Sequence, residues 1–211
     1  MRMINVIIAD DHPIFREGIK KIISKTGDIR VTDEASSGDE LLKKVKKNNY
    51  DVIILDISIP DRSGLEILKD LQDAKHRRAI LILSMHPEEQ YAIRALKAGA
   101  SGYLTKGGEP EELIKAIRKV SSGGKYVSPF LAEKLATDLN AGPEQPPHEM
   151  LSDREYQVMT MLASGKSSTD IADELCLSLP TISTYRSRIL QKMNLKNNAE
   201  VIHYAIKNNL V

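Results

Sequence analysis

Five short apolar runs, mostly β-branched, alternate through the first 122 residues with longer segments whose apolar positions recur every three or four residues. No other feature constrains the fold as much. The runs are INVIIAD (Ile4–Asp10), IRVTDEAS (Ile29–Ser36), YDVIILDI (Tyr50–Ile57), RAILILS (Arg78–Ser84) and GYLTK (Gly102–Lys106). Each is followed by a helical pattern. PIFREGIKKIISKTG has Ile19, Ile22 and Ile23 at helical spacing and Gly27 as a stop. SGDELLKKVKKNN puts Leu41, Leu42 and Val45 on one face; GLEILKDLQDA, PEEQYAIRALKAGA and EPEELIKAIRKVSSG complete the series. Strands that are continuously apolar rather than alternating belong to a parallel sheet covered on both faces. The βα alternation predicts an open, doubly wound α/β domain.

The rest of the chain reads differently. SPFLAEKLATDLN predicts one helix, over about residues 129–140. AGPEQPPHEM (Ala141–Met150) carries three prolines and a glycine and reads as an extended, semi-rigid linker. From Leu151 onward no β-rich run occurs, and four helices are expected at Asp153–Ser164, Ser168–Leu175, Leu179–Met193 and Asn198–Asn208. The expected division is therefore an α/β domain over residues 1–122, a linker over 123–150 containing one helix, and a small all-α domain over 151–211.

With 211 residues, 41% of them hydrophobic, a packed core is expected. The net charge of +1 gives no global reason to expect nucleic acid or a membrane, so such a reason must come from local asymmetry. The one cysteine, Cys176, excludes a disulfide within the chain and fits a reducing compartment. It is expected to be a small buried hydrophobe at a turn. The first apolar run is too short for a signal-peptide core or a membrane span. A cytoplasmic location without membrane attachment is the expectation.

In a parallel sheet the strand ends gather at one edge, where α/β domains carry their sites. The first strand ends on Asp10 and Asp11, the third on Asp56, the fourth on Ser84, and the fifth on Thr105 and Lys106. Three carboxylates in one place repel one another and raise each other's pKa. A hard divalent cation such as Mg²⁺ would relieve that repulsion, since oxygen-rich sites suit it. Lys106 adds a second positive charge and Ser84 a hydroxyl donor. Such a set suits phosphoryl chemistry, with Asp56 as a carboxylate nucleophile that forms an aspartyl phosphate. Singly, each residue has an ordinary reading as a turn former, an N-cap or a surface group. The joint pattern on strands one, three, four and five carries the chemical one.

Residues 1–122 resemble a response-regulator receiver domain, which is flavodoxin-like with a five-stranded parallel sheet. The resemblance rests on ADDH (Asp10, Asp11), LDISIPDRSG (Asp56, Pro60, Gly64), LSMH (Ser84) and GYLTK (Tyr103, Lys106). It implies that Asp56 accepts a phosphoryl group from a histidine kinase. It implies that Asp11, Asp56 and the backbone carbonyl of Ser58 ligate Mg²⁺, with Asp10 in an outer position or bound through water. Ser84 and Lys106 would sense the phosphoryl oxygens. Tyr103 would be the switch aromatic, turning inward as Ser84 moves and so reshaping the surface from Pro87 to Ser122. Two residues depart from the pattern and two tune it. Ile59 replaces a common methionine. Met85 stands where a small residue is common, and is expected to crowd the path of the switch. Ser58 and His86 occupy positions that tune phosphate lifetime in the family.

From Leu175 to the end, five basic residues (Arg186, Arg188, Lys192, Lys196, Lys207) stand against one acid, Glu200. Such a local excess is a modest sign of nucleic-acid contact. SSTDIADELCLSLPTISTYRSRILQKM predicts a short helix, a brief turn and a longer helix with Ser178 as N-cap and Pro180 in the first turn. Ile182, Ile189 and Met193 share its inward face; Ser183, Thr184, Ser187, Arg188 and Gln191 lie on another. A helix-turn-helix lays such a face into the major groove of DNA.

Residues 151–211 resemble the four-helix DNA-binding domain of LuxR type, on LSDREYQVMTMLASGKSSTDIADEL and LSLPTISTYRSRILQKMNL. With the receiver, the chain resembles the NarL/FixJ response regulators. The resemblance implies double-stranded DNA as partner, read by Ser183, Thr184 and Ser187. Tyr185, Arg186, Arg188 and Lys192 would mostly contact phosphates. Lysines are common in the family's base-facing stripe, and one reading guanine contributes roughly 1–3 kcal/mol of discrimination. With serines at 183 and 187, guanine readout there is not expected. The remaining face of the last helix would be a homodimer contact.

The leading reading is thus a transcriptional regulator that phosphorylation of Asp56 switches by exposing the recognition helix and promoting dimerisation, rather than an enzyme. A regulator that works without phosphate is the alternative. A phosphohydrolase with an aspartyl-phosphate intermediate is disfavoured, because such enzymes space nucleophile and acid two residues apart after the first strand, whereas Asp10 and Asp11 are adjacent.

Overall fold

The computed structural model describes residues 2–59, 62–73, 78–140 and 146–211. Pro60 and residues 141–145 of the expected linker lie outside these. The chain divides into two compact units, residues 1–133 and 134–211.

The first unit holds a five-stranded parallel sheet in the order β2-β1-β3-β4-β5. The strands are β1 (Ile4–Ala9), β2 (Ile29–Ala35), β3 (Val52–Leu55), β4 (Ala79–Ser84) and β5 (Gly102–Thr105). The helices that follow them are α1 (Pro13–Ile23), α2 (Gly38–Lys47), α3 (Gly64–Asp73), α4 (Glu88–Lys97) and α5 (Pro110–Ser121). The central strands are buried on both faces: Val6 to Ala9 and Val52 to Leu55 are at most 1% exposed. This is why their sequences carry no polar alternation. The register sets Ala9 beside Leu55, Leu55 beside Ile82, and Ser84 beside Thr105. Asp10, Asp56 and Lys106, the residues after Ala9, Leu55 and Thr105, then stand over the same edge.

Local sequence explains the element ends. Ser37 caps α2 by accepting the Glu40 N–H, and the Glu40 carboxylate returns to the Ser36 N–H at 2.8 Å. The third strand stops at Leu55, two residues short of the predicted Ile57. The chain turns after Asp56, whose own N–H still pairs with the Ala9 carbonyl at 2.9 Å. Gly64 is required by this turn: a Cβ there would stand 2.5 Å from the Asp56 carbonyl oxygen and 2.7 Å from Ile57 Cα. The chain after α5 does not begin as linker. Tyr126 forms a parallel bridge with Gly102, and its N–H donates to the Ser101 carbonyl at 2.8 Å. Helix α6 (Pro129–Asn140) follows.

The second unit contains a 3-10 turn (Pro147–Met150) and helices α7 (Asp153–Ala163), α8 (Ser168–Glu174), α9 (Leu179–Lys192) and α10 (Asn198–Lys207). Helix α7 packs on α9 and α10, and α8 packs on α9. Ser152 with Glu155, and Ser167 with Asp170, form capping boxes; Ser178 and Asn197 cap α9 and α10. Ile182, Ile189 and Met193 are buried as expected.

Cys176 is the exception. It is exposed, not buried. Its φ of 52° is left-handed, and it closes α8 as the αL residue of a Schellman motif. Its N–H donates to the Asp173 carbonyl at 3.2 Å and that of Leu177 to Ala172 at 2.8 Å. A residue in that position turns its side chain out to solvent.

Candidate functional site

Asp10, Asp56 and Lys106 come together at the carboxyl edge of the sheet, their side chains 2–3% exposed. Asp10 and Asp56 follow adjacent strands. Lys106 arrives from the edge strand because its N–H pairs with the Ser84 carbonyl at 2.7 Å. Its ammonium lies 2.7 Å from Asp10 Oδ2 and 2.7 Å from Asp56 Oδ2. The Phe15 ring centroid, 4.6 Å from Nζ, adds a cation–π contact. The other Asp56 oxygen, Oδ1, accepts the Ser58 N–H at 3.1 Å. Asp10 Oδ1 accepts the His12 N–H at 2.8 Å, and Arg16 Nη1 donates to the Asp10 carbonyl at 2.6 Å.

Burial pushes the Asp56 carboxyl above the ordinary carboxylate range; the Lys106 charge and the Ser58 N–H pull the other way without cancelling it. Burial alone would lower Lys106, but the Asp56 and Asp10 carboxylates outweigh it and hold the ammonium above its ordinary value.

Asp11 completes the acidic set. Its Oδ1 is shielded from solvent and accepts no hydrogen bond; His12 Nδ1 stands 2.8 Å away but outside hydrogen-bonding geometry. Ligand atoms of Asp10, Asp11, His12 and Asp56 all lie within 4.8 Å of one another. Three carboxylates facing one ammonium leave net negative charge. Hard oxygen donors, a carboxylate oxygen without a hydrogen-bond partner and uncompensated charge all fit a divalent cation such as Mg²⁺.

Ser84 is fully buried, and its Oγ accepts the His86 N–H at 3.1 Å. Tyr103 is also fully buried, in the inward setting, and donates its hydroxyl proton to the His86 carbonyl at 2.8 Å. Burial pushes that hydroxyl's pKa far up. Met85 is 75% exposed. It turns away from the buried Ser84 and Tyr103, so the expected crowding does not occur. Phe15 and Arg16 were not anticipated as partners of the site. An aromatic and an arginine in the first turn of α1, just after the acidic pair, are the signal that could have found them.

On α9, Ser183, Thr184, Ser187, Arg188, Gln191 and Lys192 are exposed, while Tyr185 and Arg186 are half-buried. Thr184 Oγ1 donates to the Pro180 carbonyl at 2.9 Å, and Ser187 Oγ to that of Ser183 at 3.0 Å. Both hydroxyls keep accepting lone pairs toward solvent. The predicted phosphate-contacting residues divide. Arg186 donates to Asn198 Oδ1 at 2.7 Å, and Lys192 pairs with the capping-box Glu155 at 2.6 Å. Arg188 makes no internal ion pair among the described residues.

Residues 6–118 match the response regulator receiver domain family, and residues 149–205 match the luxR family of bacterial regulatory proteins. The response regulator UvrY of Escherichia coli K12 is 35% identical over 209 residues, which cover 99% of this chain and 96% of UvrY. The chain belongs to the two-component response regulators with a LuxR-type DNA-binding domain. The response regulator GacA of Pseudomonas aeruginosa is 34% identical to this regulator, covering 99% of it and 98% of GacA. The RcsB response regulator of Salmonella typhimurium superposes on the regulator with a TM-score of 0.70 at 27% identity, covering 99% of both chains. Other RcsB structures hold DNA, one of them with promoter DNA in the presence of a phosphomimetic. The regulator is thus a DNA-binding transcription regulator of NarL/FixJ type. Among its described residues no helix is long and apolar enough to cross a membrane.

Proposed function

We propose that Asp56 takes a phosphoryl group from the phosphohistidine of a histidine kinase in the cytoplasm, and that this favours a homodimer that binds double-stranded DNA through α9. The observation that carries the reading is the buried Lys106 ammonium held 2.7 Å from both Asp10 and Asp56. A fixed ammonium at the nucleophile is what a transferring phosphoryl group requires for its equatorial oxygens.

Asp56 Oδ attacks phosphorus as the bond to the histidine nitrogen breaks. The Ser58 N–H fixes the carboxylate's direction through the other oxygen. Lys106 stays beside the acceptor and offsets the added charge. Ser84, buried at the end of β4, supplies its hydroxyl to a phosphoryl oxygen. Its oxygen accepts the His86 N–H, so a turn of the hydroxyl toward the phosphoryl group is felt by the His86 backbone. Tyr103, inside the same fold, holds the neighbouring backbone and carries the change toward α4. Asp11, Asp56 and the Ser58 carbonyl would hold Mg²⁺, with Asp10 bound through water; the ion supplies positive charge that lowers the repulsion between acceptor and donor.

On DNA, the exposed hydroxyls of Ser183, Thr184 and Ser187 face bases. Arg188 contacts phosphate directly, Tyr185 from its half-buried position, and Arg186 and Lys192 once their internal partners yield. One helix-turn-helix reads a half-site, so a symmetric site needs two copies.

Binding of the full chain to a genomic DNA pool tests this reading. A small phosphodonor with Mg²⁺ is expected to tighten binding of the wild type at least fivefold, the lower end of ordinary coupling energies, and to leave Asp56→Asn unchanged. Equal affinity with and without the donor would favour the phosphate-independent alternative.

A further inference from the structure

His86 lies two residues past Ser84, and four separate contacts meet on it. Its Nε2 stands 3.3 Å from Ser58 Oγ, joining two loops 28 residues apart in sequence. Its ring packs against that of Tyr91, with centroids 4.8 Å apart and planes inclined at 42°. Its N–H donates to Ser84 Oγ at 3.1 Å, and its carbonyl accepts from the Tyr103 hydroxyl at 2.8 Å. Ser58 in turn holds Asp56 Oδ1 through its N–H. Tyr91 is buried on α4.

The backbone of His86 is therefore held by the two residues assigned to the switch. Its side chain is held by the acceptor loop on one edge and by α4 on the other. We propose that His86 is a positioning residue: its ring transmits the state of the acceptor loop to α4 by a route separate from that of Ser84 and Tyr103.

The proposal rests on Asp56 as the phosphoacceptor. Placing a phosphoryl group on Asp56 changes what the Ser58 N–H faces, so the loop at Ser58 shifts. Ser58 Oγ carries the shift to Nε2. The His86 ring is half-buried, and the side it turns inward lies against the buried Tyr91, so it cannot shift on that side without displacing Tyr91 in a close-packed interior. Tyr91 lies in the first turns of α4, so the displacement is delivered to that helix. Both routes meet at one residue, and the loop and the switch pair must agree before α4 settles. The coupling is read as non-additivity between variants of the two residues.

The test uses the full chain, a small phosphodonor and Mg²⁺. Intact mass reports phosphoryl uptake, and sedimentation reports the dimerisation constant with and without donor; the ratio of the two constants is the gain. His86→Ala is expected to take up the phosphoryl group yet lose about fivefold or more of the gain, the size of a modest coupling energy. His86→Gln returns a hydrogen-bonding amide to Ser58 and His86→Phe returns a ring to Tyr91, and each is expected to recover part of the gain. Ser58→Ala should lower the gain in the wild type and change nothing further in His86→Ala.

An unchanged gain in the His86 variants would overturn the proposal while leaving Asp56 as acceptor intact. So would effects of Ser58→Ala and His86→Ala that simply multiply. Should His86→Ala fail to fold, His86→Gln against His86→Phe carries the same comparison. Absence of any mass gain in the wild type would remove Asp56 as acceptor, and the proposal with it.

Discussion

At the scale of single residues, Lys106 does two things at once: it holds the acceptor carboxylate and makes the burial of two acids tolerable. Removing one partner of a buried ion pair costs more than the pair contributes, because the remaining charge is stranded. Lys106→Met is expected to lower stability at neutral pH by about 3 kcal/mol in the presence of a chelator. The pH dependence follows from Asp56. Its folded pKa lies above its ordinary value of 3.8, so the folded chain binds more protons there than the unfolded one. That contribution to stability falls as pH rises through the folded value and is recovered as pH falls. Without Lys106 the folded value rises further. The penalty in Lys106→Met should therefore shrink between neutrality and about pH 4, as urea titrations across that range would show. A penalty constant with pH would mean that Asp56 is not the stranded charge.

At the scale of elements, the βα alternation was readable because buried parallel strands leave long β-branched runs, and caps such as Ser37, Ser152 and Ser178 are local signals. The acidic pair, Asp56, Ser84 and Lys106 were readable together because parallel strands deliver their ends to one edge. Less readable were the directions of single side chains. Met85 follows the alternation at the end of β4: it lies on the same side as Leu83, away from the buried Ser84, and stays 75% exposed. Arg186 turns toward Asn198 at the start of α10, a partner 12 residues away. Cys176 appeared to be core because cysteine is usually buried, yet the backbone of the turn makes it a left-handed cap. That conformation costs an L-residue about 1–2 kcal/mol, which glycine avoids. Cys176→Gly is expected to raise the stability of the helix-turn-helix domain by about 1 kcal/mol, after allowance for glycine's greater freedom when unfolded. Denaturant melts of the two chains measure it; a loss would show that the cysteine side chain contributes packing.

At the scale of the whole molecule, a nearly neutral chain must bind DNA through a local surface, and α9 offers few free cations. With Arg186 and Lys192 engaged internally, Arg188 carries more of the phosphate contact than the charge count implied. Arg188→Ala is expected to weaken binding about equally on all sequences and to reduce the salt dependence by about one counterion per protomer. A change confined to particular sequences would instead place Arg188 at a base edge.

The most direct measurement is the mass of the full chain after exposure to a small phosphodonor with Mg²⁺, followed by peptide mapping, with Asp56→Asn alongside. The expected result is one phosphoryl group on the peptide containing Asp56, lost when a chelator is present and absent from the variant. A wild type that gains no mass, or a variant that gains it equally, would contradict Asp56 as the acceptor.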